Sequence, residues 1–167
     1  IAGGADVILL PELPYDIHKV ADALKQRTEN GKHFSILAVA EGAISKEDAA
    51  LTRSEYKKKK PRNTYPSIAY EIADQLAAET GQEVRITIPG HTQRGGSPNA
   101  YDRVLASRLG SFAAQLILEE DYGFMVALRE GKLVALPLEE VSGKLKTVPP
   151  EHEMIAQAKE IGICFGN

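Results

Sequence analysis

Dense apolar runs alternate with longer stretches of helical periodicity along the chain. Val7 to Leu10 is unbroken and stops at Pro11, the pattern of a strand buried on both faces in a parallel sheet. From Tyr15 to Glu29 the apolar residues Ile17, Val20, Ala21 and Leu24 recur at helical spacing, with Asp16 as the expected N-cap and Asn30-Gly31 as a left-handed stop. Ser35 to Ala40 is a second buried strand, completing a βαβ unit expected to cross over right-handed. A short helix capped by Ser45 is expected to run through Leu51. Ser67 to Thr80 carries the helical stripe of Ile68, Ile72 and Leu76, with Gly81 as its cap.

Val84, Ile86 and Ile88 then alternate with Arg85 and Thr87, which predicts a third strand, half-buried or at an edge, over Glu83 to Ile88. It breaks at Pro89-Gly90 into a polar loop with His91, Gln93, Arg94 and the pair Gly95-Gly96. Asn99 to Glu119 is the longest expected helix, its inside formed by Val104, Leu105, Leu109, Phe112, Ala113, Leu116 and Ile117. Gly123–Leu128 and Lys132–Leu136 predict a hairpin around Glu130-Gly131. A final helix is expected from Pro149 to Glu160, started by its proline pair, with Met154, Ile155, Ala158 and Ile161 on its apolar side.

Composition narrows the classes. The 167 residues are 43% hydrophobic and 26% charged, ordinary for a globular α/β domain with a real core. A net charge of −3 gives no general attraction to nucleic acid or to an anionic membrane. Cys164 is alone, which excludes an internal disulfide framework and a multi-cysteine zinc site and points to a cytoplasmic setting. No apolar run approaches the roughly 20 residues of a membrane span. The chain opens at Ile1 and enters its first strand without a charged leader, as expected of part of a longer polypeptide. Lys46 to Asn63 is read as an exposed excursion, and its lysines 57 to 60 as solvated surface rather than an anion-binding patch.

Glu12 and Glu41 each follow a strand, where open α/β sheets place ligands. His91 and Arg94 lie in a glycine-rich loop leading into a helix, a pattern suited to a phosphate. If Glu83 to Ile88 is fully extended, Arg85 stands roughly 20 Å from His91 and serves a different site or a neighbouring subunit. No Walker A, Gly-x-Gly-x-x-Gly, Gly-x-Ser-x-Gly or His-Glu-x-x-His motif occurs. From the residues alone, the reading ends at an α/β domain that binds a phosphorylated or acidic small molecule at strand ends.

The stretch Pro89-Gly-His-Thr-Gln-Arg-Gly-Gly-Ser-Pro-Asn-Ala-Tyr-Asp-Arg-Val-Leu-Ala-Ser-Arg-Leu-Gly110 closely resembles the His-x-Gln-Arg-Gly-Gly-x-Pro segment and following helix of the 6-phosphofructokinases. Gly4 to Glu12 resembles the family's Pro-Glu strand, and Phe34 to Gly42 the strand that ends in a substrate-binding Glu. The resemblance covers almost the whole chain and the C-terminal portion of the family's length. It implies a three-layer αβα sandwich with a mainly parallel sheet. Residues 1–96 and about 139–167 would form the substrate-binding part, and about 97–138 would pack toward a donor-binding domain.

The implied activity is glycolytic: phosphoryl transfer from ATP or pyrophosphate to O1 of fructose 6-phosphate. Glu41 would hydrogen-bond sugar hydroxyls, His91 and Arg94 would hold the 6-phosphate, and Arg85 would reach the 6-phosphate in a neighbouring subunit's site. Glu12 and Lys32 match effector-site positions of allosteric bacterial members. The family's catalytic Asp segment, donor loops and Met-Gly-Arg loop have no counterpart in this stretch, so no catalytic residue and no metal ligand is assigned within it. Mg2+ would come with the donor and be held mainly outside this stretch. A homodimer or homotetramer is implied at full length, and no kinase activity is expected of these residues alone. The long excursion from Ile44 to Tyr65 and the Ala40-Glu-Gly42 sequence resemble the longer-chain group that includes pyrophosphate-dependent enzymes. A non-catalytic sugar-phosphate-binding or regulatory module is the alternative.

Overall fold

The computed structural model describes residues 1–59 and 65–167. The chain divides into two compact units, one of Ile1–Thr87 with Thr147–Asn167, the other of Ile88–Lys146.

The first unit is an αβα arrangement. Strands β1 (Val7–Leu9) and β2 (Leu37–Val39) pair in parallel, Val7 opposite Leu37. Helix α1 (Ile17–Glu29) joins them. Its Asp16 cap accepts the His18 N–H at 3.0 Å, and Gly31 closes it with a positive φ. Side chains alternate along β1. Val7 and Leu9 join Val20, Ala21 and Leu24 of α1 and Ile72 and Leu76 of helix α4 (Ile68–Thr80) in one apolar cluster. Ile8 and Leu10 pack on a second cluster of Leu13, Ile155, Ala158, Ile163 and Phe165, which brings in helix α7 (Glu153–Glu160). The free edge of β1 is taken by the end of the chain. Val7 bridges Cys164 in parallel, and Ile8 N–H donates to Cys164 O at 2.9 Å. Asp6 ties the other end of the strands. Its carboxylate accepts the Ile36 N–H at 2.8 Å and pairs with Arg27 at 2.8 Å, while Arg27 Nε donates to Ser35 Oγ.

The excursion is partly folded back. Ser45 caps helix α2 (Lys46–Ala49), as expected. Thr52 and Glu55 cap each other at the start of helix α3 (Arg53–Lys59), and Lys59 pairs with Asp48. Lys60 and Asn63 lie outside the described residues. Beneath α2, Tyr15 N–H donates to Ile44 O and Lys46 N–H to Tyr15 O. Tyr15 is buried. Burial, reinforced by the carboxylates of Glu71, Asp48 and Glu47, holds its phenol above the ordinary tyrosine value. A phenol whose folded pKa is raised contributes stability that is complete below its unfolded pKa near 10 and is lost as pH rises beyond it. Tyr15→Phe is therefore expected to unfold less steeply with pH above about 10. The difference from the parent should reach at most about 1.4 kcal/mol per pH unit, read by urea titration at pH 9 and 11. Identical slopes would refute it.

The second unit holds helix α5 (Ala100–Leu118), strands β3 (Phe124–Arg129) and β4 (Lys132–Pro137), and the short helix α6 (Leu138–Val141). The hairpin is antiparallel, with Arg129 opposite Lys132. Its two-residue turn has positive φ at both Glu130 and Gly131, the primed geometry that matches strand twist.

Four expectations are corrected. Glu83 to Ile88 forms no strand. A strand exists only through its partner's hydrogen bonds, and β2 and this segment do not pair. Val84 and Ile88 are exposed, so the fully extended spacing from Arg85 to His91 loses its basis. The second face of β2 is open, with Ala38 exposed and Phe34 75% exposed beside it. On α5 only Leu116 is buried, and Val104 and Ile117 are exposed. Helix α7 starts at Glu153, where the His152 ring accepts the Met154 N–H, because Pro149 to His152 close a turn first. Of its apolar residues Ile155 and Ala158 are buried, while Met154 and Ile161 face solvent.

Candidate functional site

Two turns stand side by side at the C-terminal ends of β1 and β2. One runs from Leu10 to Leu13, closed by Leu13 N–H to Leu10 O at 3.2 Å. The other runs from Ala40 to Ala43, closed by Ala43 N–H to Ala40 O at 2.9 Å. Ala40 N–H donates to Leu9 O at 3.0 Å and joins them. Both turns end on a buried apolar residue, Leu13 and Ala43, which leaves their polar middles at the sheet edge. Glu41 is exposed, and no hydrogen bond among the described residues uses its carboxylate. Glu12 is half-buried, and its Oε1 accepts the Val148 N–H at 3.0 Å. Lys32 lies at the other end of the same strands, ahead of β2, its N–H bonded to Arg27 O. Within one chain, Glu12 and Glu41 share an edge, and Glu12 and Lys32 do not.

In the second unit, Gly90–Arg94 is a 3-10 turn. Thr92 N–H donates to Pro89 O at 3.0 Å and Gly95 N–H to Thr92 O at 3.1 Å. Three residues per turn set His91 and Arg94 on one side of it. Both are exposed, and no hydrogen bond or ion pair among the described residues engages either side chain. Gly90 and Gly96 hold positive φ, 51° and 91°, so the turn's entry and exit both need backbone that side chains disfavour. The start of α5 is already served: Asn99 and Asp102 form a reciprocal capping box with two 3.0 Å bonds. An anion at this loop would therefore be met chiefly by the His91 and Arg94 side chains.

Arg85 pairs with Glu83 at 2.9 Å, both well exposed, so this ion pair is weak and easily exchanged. The Asp6–Arg27–Ser35 clasp escaped the sequence reading. Asp6 precedes β1, Arg27 sits on α1 and Ser35 precedes β2, so their meeting depends on how the βαβ unit packs rather than on any local pattern. Among the described residues no group of three or more His, Cys, Asp or Glu side chains could hold a metal ion. Also among them, no helix is long and apolar enough to cross a membrane.

The profile of the phosphofructokinase family matches residues 1–117, spanning β1, both strand-end turns, the His91–Arg94 turn and nearly all of α5. The chain belongs to the phosphofructokinase family. It is 50% identical over 167 residues to the ATP-dependent 6-phosphofructokinase of Spirochaeta thermophila, covering all of this chain and 46% of that protein. It is 41% identical over 166 residues to ATP-dependent 6-phosphofructokinase 3 of Bacteroides thetaiotaomicron, covering 99% and 44%. It is 42% identical to the pyrophosphate–fructose 6-phosphate 1-phosphotransferase of Amycolatopsis methanolica, covering 99% and 47%. The chain thus spans just under half the length of these phosphofructokinases. Among solved structures, Saccharomyces cerevisiae phosphofructokinase superposes with a TM-score of 0.58 at 27% identity, over 95% of this chain and 19% of that one. The pyrophosphate-dependent phosphofructokinase of Nitrosospira multiformis superposes with a TM-score of 0.64 over 96% and 41%. At 15% identity the latter speaks for the phosphofructokinase fold alone.

Proposed function

We propose that the chain is the acceptor-binding portion of a 6-phosphofructokinase, a glycolytic kinase that moves a phosphoryl group from ATP or pyrophosphate to O1 of fructose 6-phosphate. The observation that carries this reading is the placement of His91 and Arg94 on one side of a single turn, exposed and without protein partners. These two hold the 6-phosphate, Glu41 accepts sugar hydroxyls, and Arg85 reaches the 6-phosphate of a neighbouring subunit's site. The loose Arg85–Glu83 pair suits a group that must exchange its partner. Phosphoryl transfer is mostly positioning and charge stabilisation. His91 and Arg94 on the phosphate that does not react anchor the far end of the sugar, and that binding energy orients O1 toward the donor.

The reacting groups belong to polypeptide beyond these residues. Mg2+ comes with the donor and is held mainly outside these residues. Residues 1–96 and about 139–167 serve the sugar phosphate, and about 97–138 pack toward the donor-binding part. Tyr101, Val104, Ile117 and Leu118, exposed on α5, are the apolar surface such packing would cover. The full-length enzyme is a cytoplasmic homo-oligomer, a dimer or tetramer. Allosteric control through both Glu12 and Lys32 would need two chains, since one chain holds them at opposite strand ends.

A coupled assay with ATP and with pyrophosphate tests the reading. The full-length protein is expected to turn over fructose 6-phosphate with one of the two, and these 167 residues alone with neither. Turnover by the isolated chain would sink the division of labour. Absence of turnover by the full-length protein with both donors would favour a non-catalytic sugar-phosphate-binding module.

A further inference from the structure

A second role for the turn after β1 follows from what surrounds Glu12. Pro11 lies against the neighbouring turn: a Cβ placed on Gly42 would come 3.2 Å from Pro11 Cγ and 3.6 Å from Pro11 Cβ. Gly42 directly follows Glu41. Pro11 is thus the wall against which the Glu41–Gly42 backbone rests, and only a residue without a side chain fits at that distance undisturbed. Ala40 N–H on Leu9 O holds the base of the same pair of turns.

The Pro11–Glu12 turn is fixed on its far side by two contacts. Leu13 is buried among Ile155, Ala158, Ile163 and Phe165. Glu12 Oε1 accepts the Val148 N–H at 3.0 Å. Val148 suits that contact. It precedes Pro149, which biases it to extended backbone, and neither Pro149 nor Pro150 has an N–H to offer in its place. Its amide finds an acceptor in Glu12, 136 residues away along the chain.

We propose that Glu12 is a positioning residue for Glu41: by holding Val148, it fixes the Pro11 wall that sets where the Glu41 carboxylate meets the sugar. The effect passes along one path, from the Val148 amide to the Glu12 side chain, from Pro11 to Gly42, and from Gly42 to its neighbour Glu41. An acceptor oxygen is all that this role requires, so Gln serves in place of Glu and Ala does not. This role rests on the reading of Glu41 as the sugar-hydroxyl acceptor.

The test is steady-state kinetics of the full-length protein with Glu12→Ala, Glu12→Gln, Gly42→Ala and Glu41→Ala. Glu12→Ala should raise the KM for fructose 6-phosphate about fivefold, the size of one ordinary hydrogen bond, leaving kcat and the donor KM within about twofold. Glu12→Gln should restore the parent KM. Gly42→Ala should raise the same KM from the opposite side of the contact, and it decides the matter should Glu12→Ala not yield folded protein. If Glu41→Ala raises that KM while Glu12→Ala and Gly42→Ala leave it unchanged, the positioning role is wrong and the sugar site stands. If Glu12→Gln is as impaired as Glu12→Ala, the hydrogen-bond acceptor account is wrong. If Glu41→Ala itself has no effect, the role of Glu41 fails and that of Glu12 with it.

Discussion

Gly166→Ala is expected to destabilise the first unit by about 3 kcal/mol, the sum of a left-handed backbone cost and an overpacking cost of comparable size. Gly166 has φ +71°, a conformation that costs a residue with a Cβ roughly 1–2 kcal/mol. Its surroundings leave no room either. A Cβ would stand 2.8 Å from Val20 Cγ2, 3.0 Å from Tyr15 Cβ and 3.4 Å from Leu9 Cδ2, and all three of those residues are buried. Their backbones belong to β1, to α1 and to the stretch between them, so relief means moving packed elements. Gly166 O also accepts the Asp16 N–H at 2.8 Å, and a shift of the 163–166 segment would loosen the start of α1. Against a typical total of 5–15 kcal/mol, such a loss is large. Urea unfolding followed by circular dichroism measures it, and a change below about 1 kcal/mol would refute the packing argument. Adding Val20→Ala to Gly166→Ala removes the nearest clash, so the pair should cost less than the sum of its single changes.

Arg94→Ala in the full-length protein should raise the KM for fructose 6-phosphate by roughly 30- to 150-fold, the loss of about 2–3 kcal/mol from a charge-assisted contact. Arg94 has no ion pair or side-chain hydrogen bond among the described residues, and its side chain is exposed. Its removal should therefore leave the melting temperature unchanged, which separates binding from folding. Arg94→Lys should recover only part of the affinity, because an ammonium replaces the planar fork that engages a phosphate bidentately. His91→Ala should act in the same direction and less strongly, since its ring sits on the same side of the turn and offers a single donor in its neutral form. Unchanged KM in Arg94→Ala would show that the turn holds something other than the sugar phosphate.

Periodicity located most of what is local. The α1 stripe of Val20, Ala21 and Leu24, the Asp16 cap, the Gly81 stop and the Glu130-Gly131 hairpin all depend on neighbours in sequence, and each stands where the pattern places it. The loop with His91 and Arg94 was legible for the same reason, its side chains being three residues apart in one turn. What the pattern missed depends on partners far along the chain. Val84, Ile86 and Ile88 alternate as a strand does, but alternation supplies no neighbour to pair with. Val104 and Ile117 lie at helical spacing with the rest of their stripe, yet among the described residues nothing covers them. The converse case is Glu12. Its position after β1 suggested a ligand-binding carboxylate, and the amide that engages it lies 136 residues away. As a lone cysteine, Cys164 gave no hint of a structural role, and its backbone extends the sheet beside Val7.

The bridge between Val7 and Cys164 also sets an order of events in time. β1 leaves the ribosome well before the residues that complete its edge and cover Ile8 and Leu10. At 5–20 residues per second, the interval is about 10–30 s. During it, one side of the first sheet has neither its pairing strand nor its apolar cover. Such an edge is open to pairing with other chains. Closing so long a loop also makes this a non-local, slow contact compared with the helices. The segment around Cys164 therefore decides how long this part of the nascent protein remains vulnerable to aggregation.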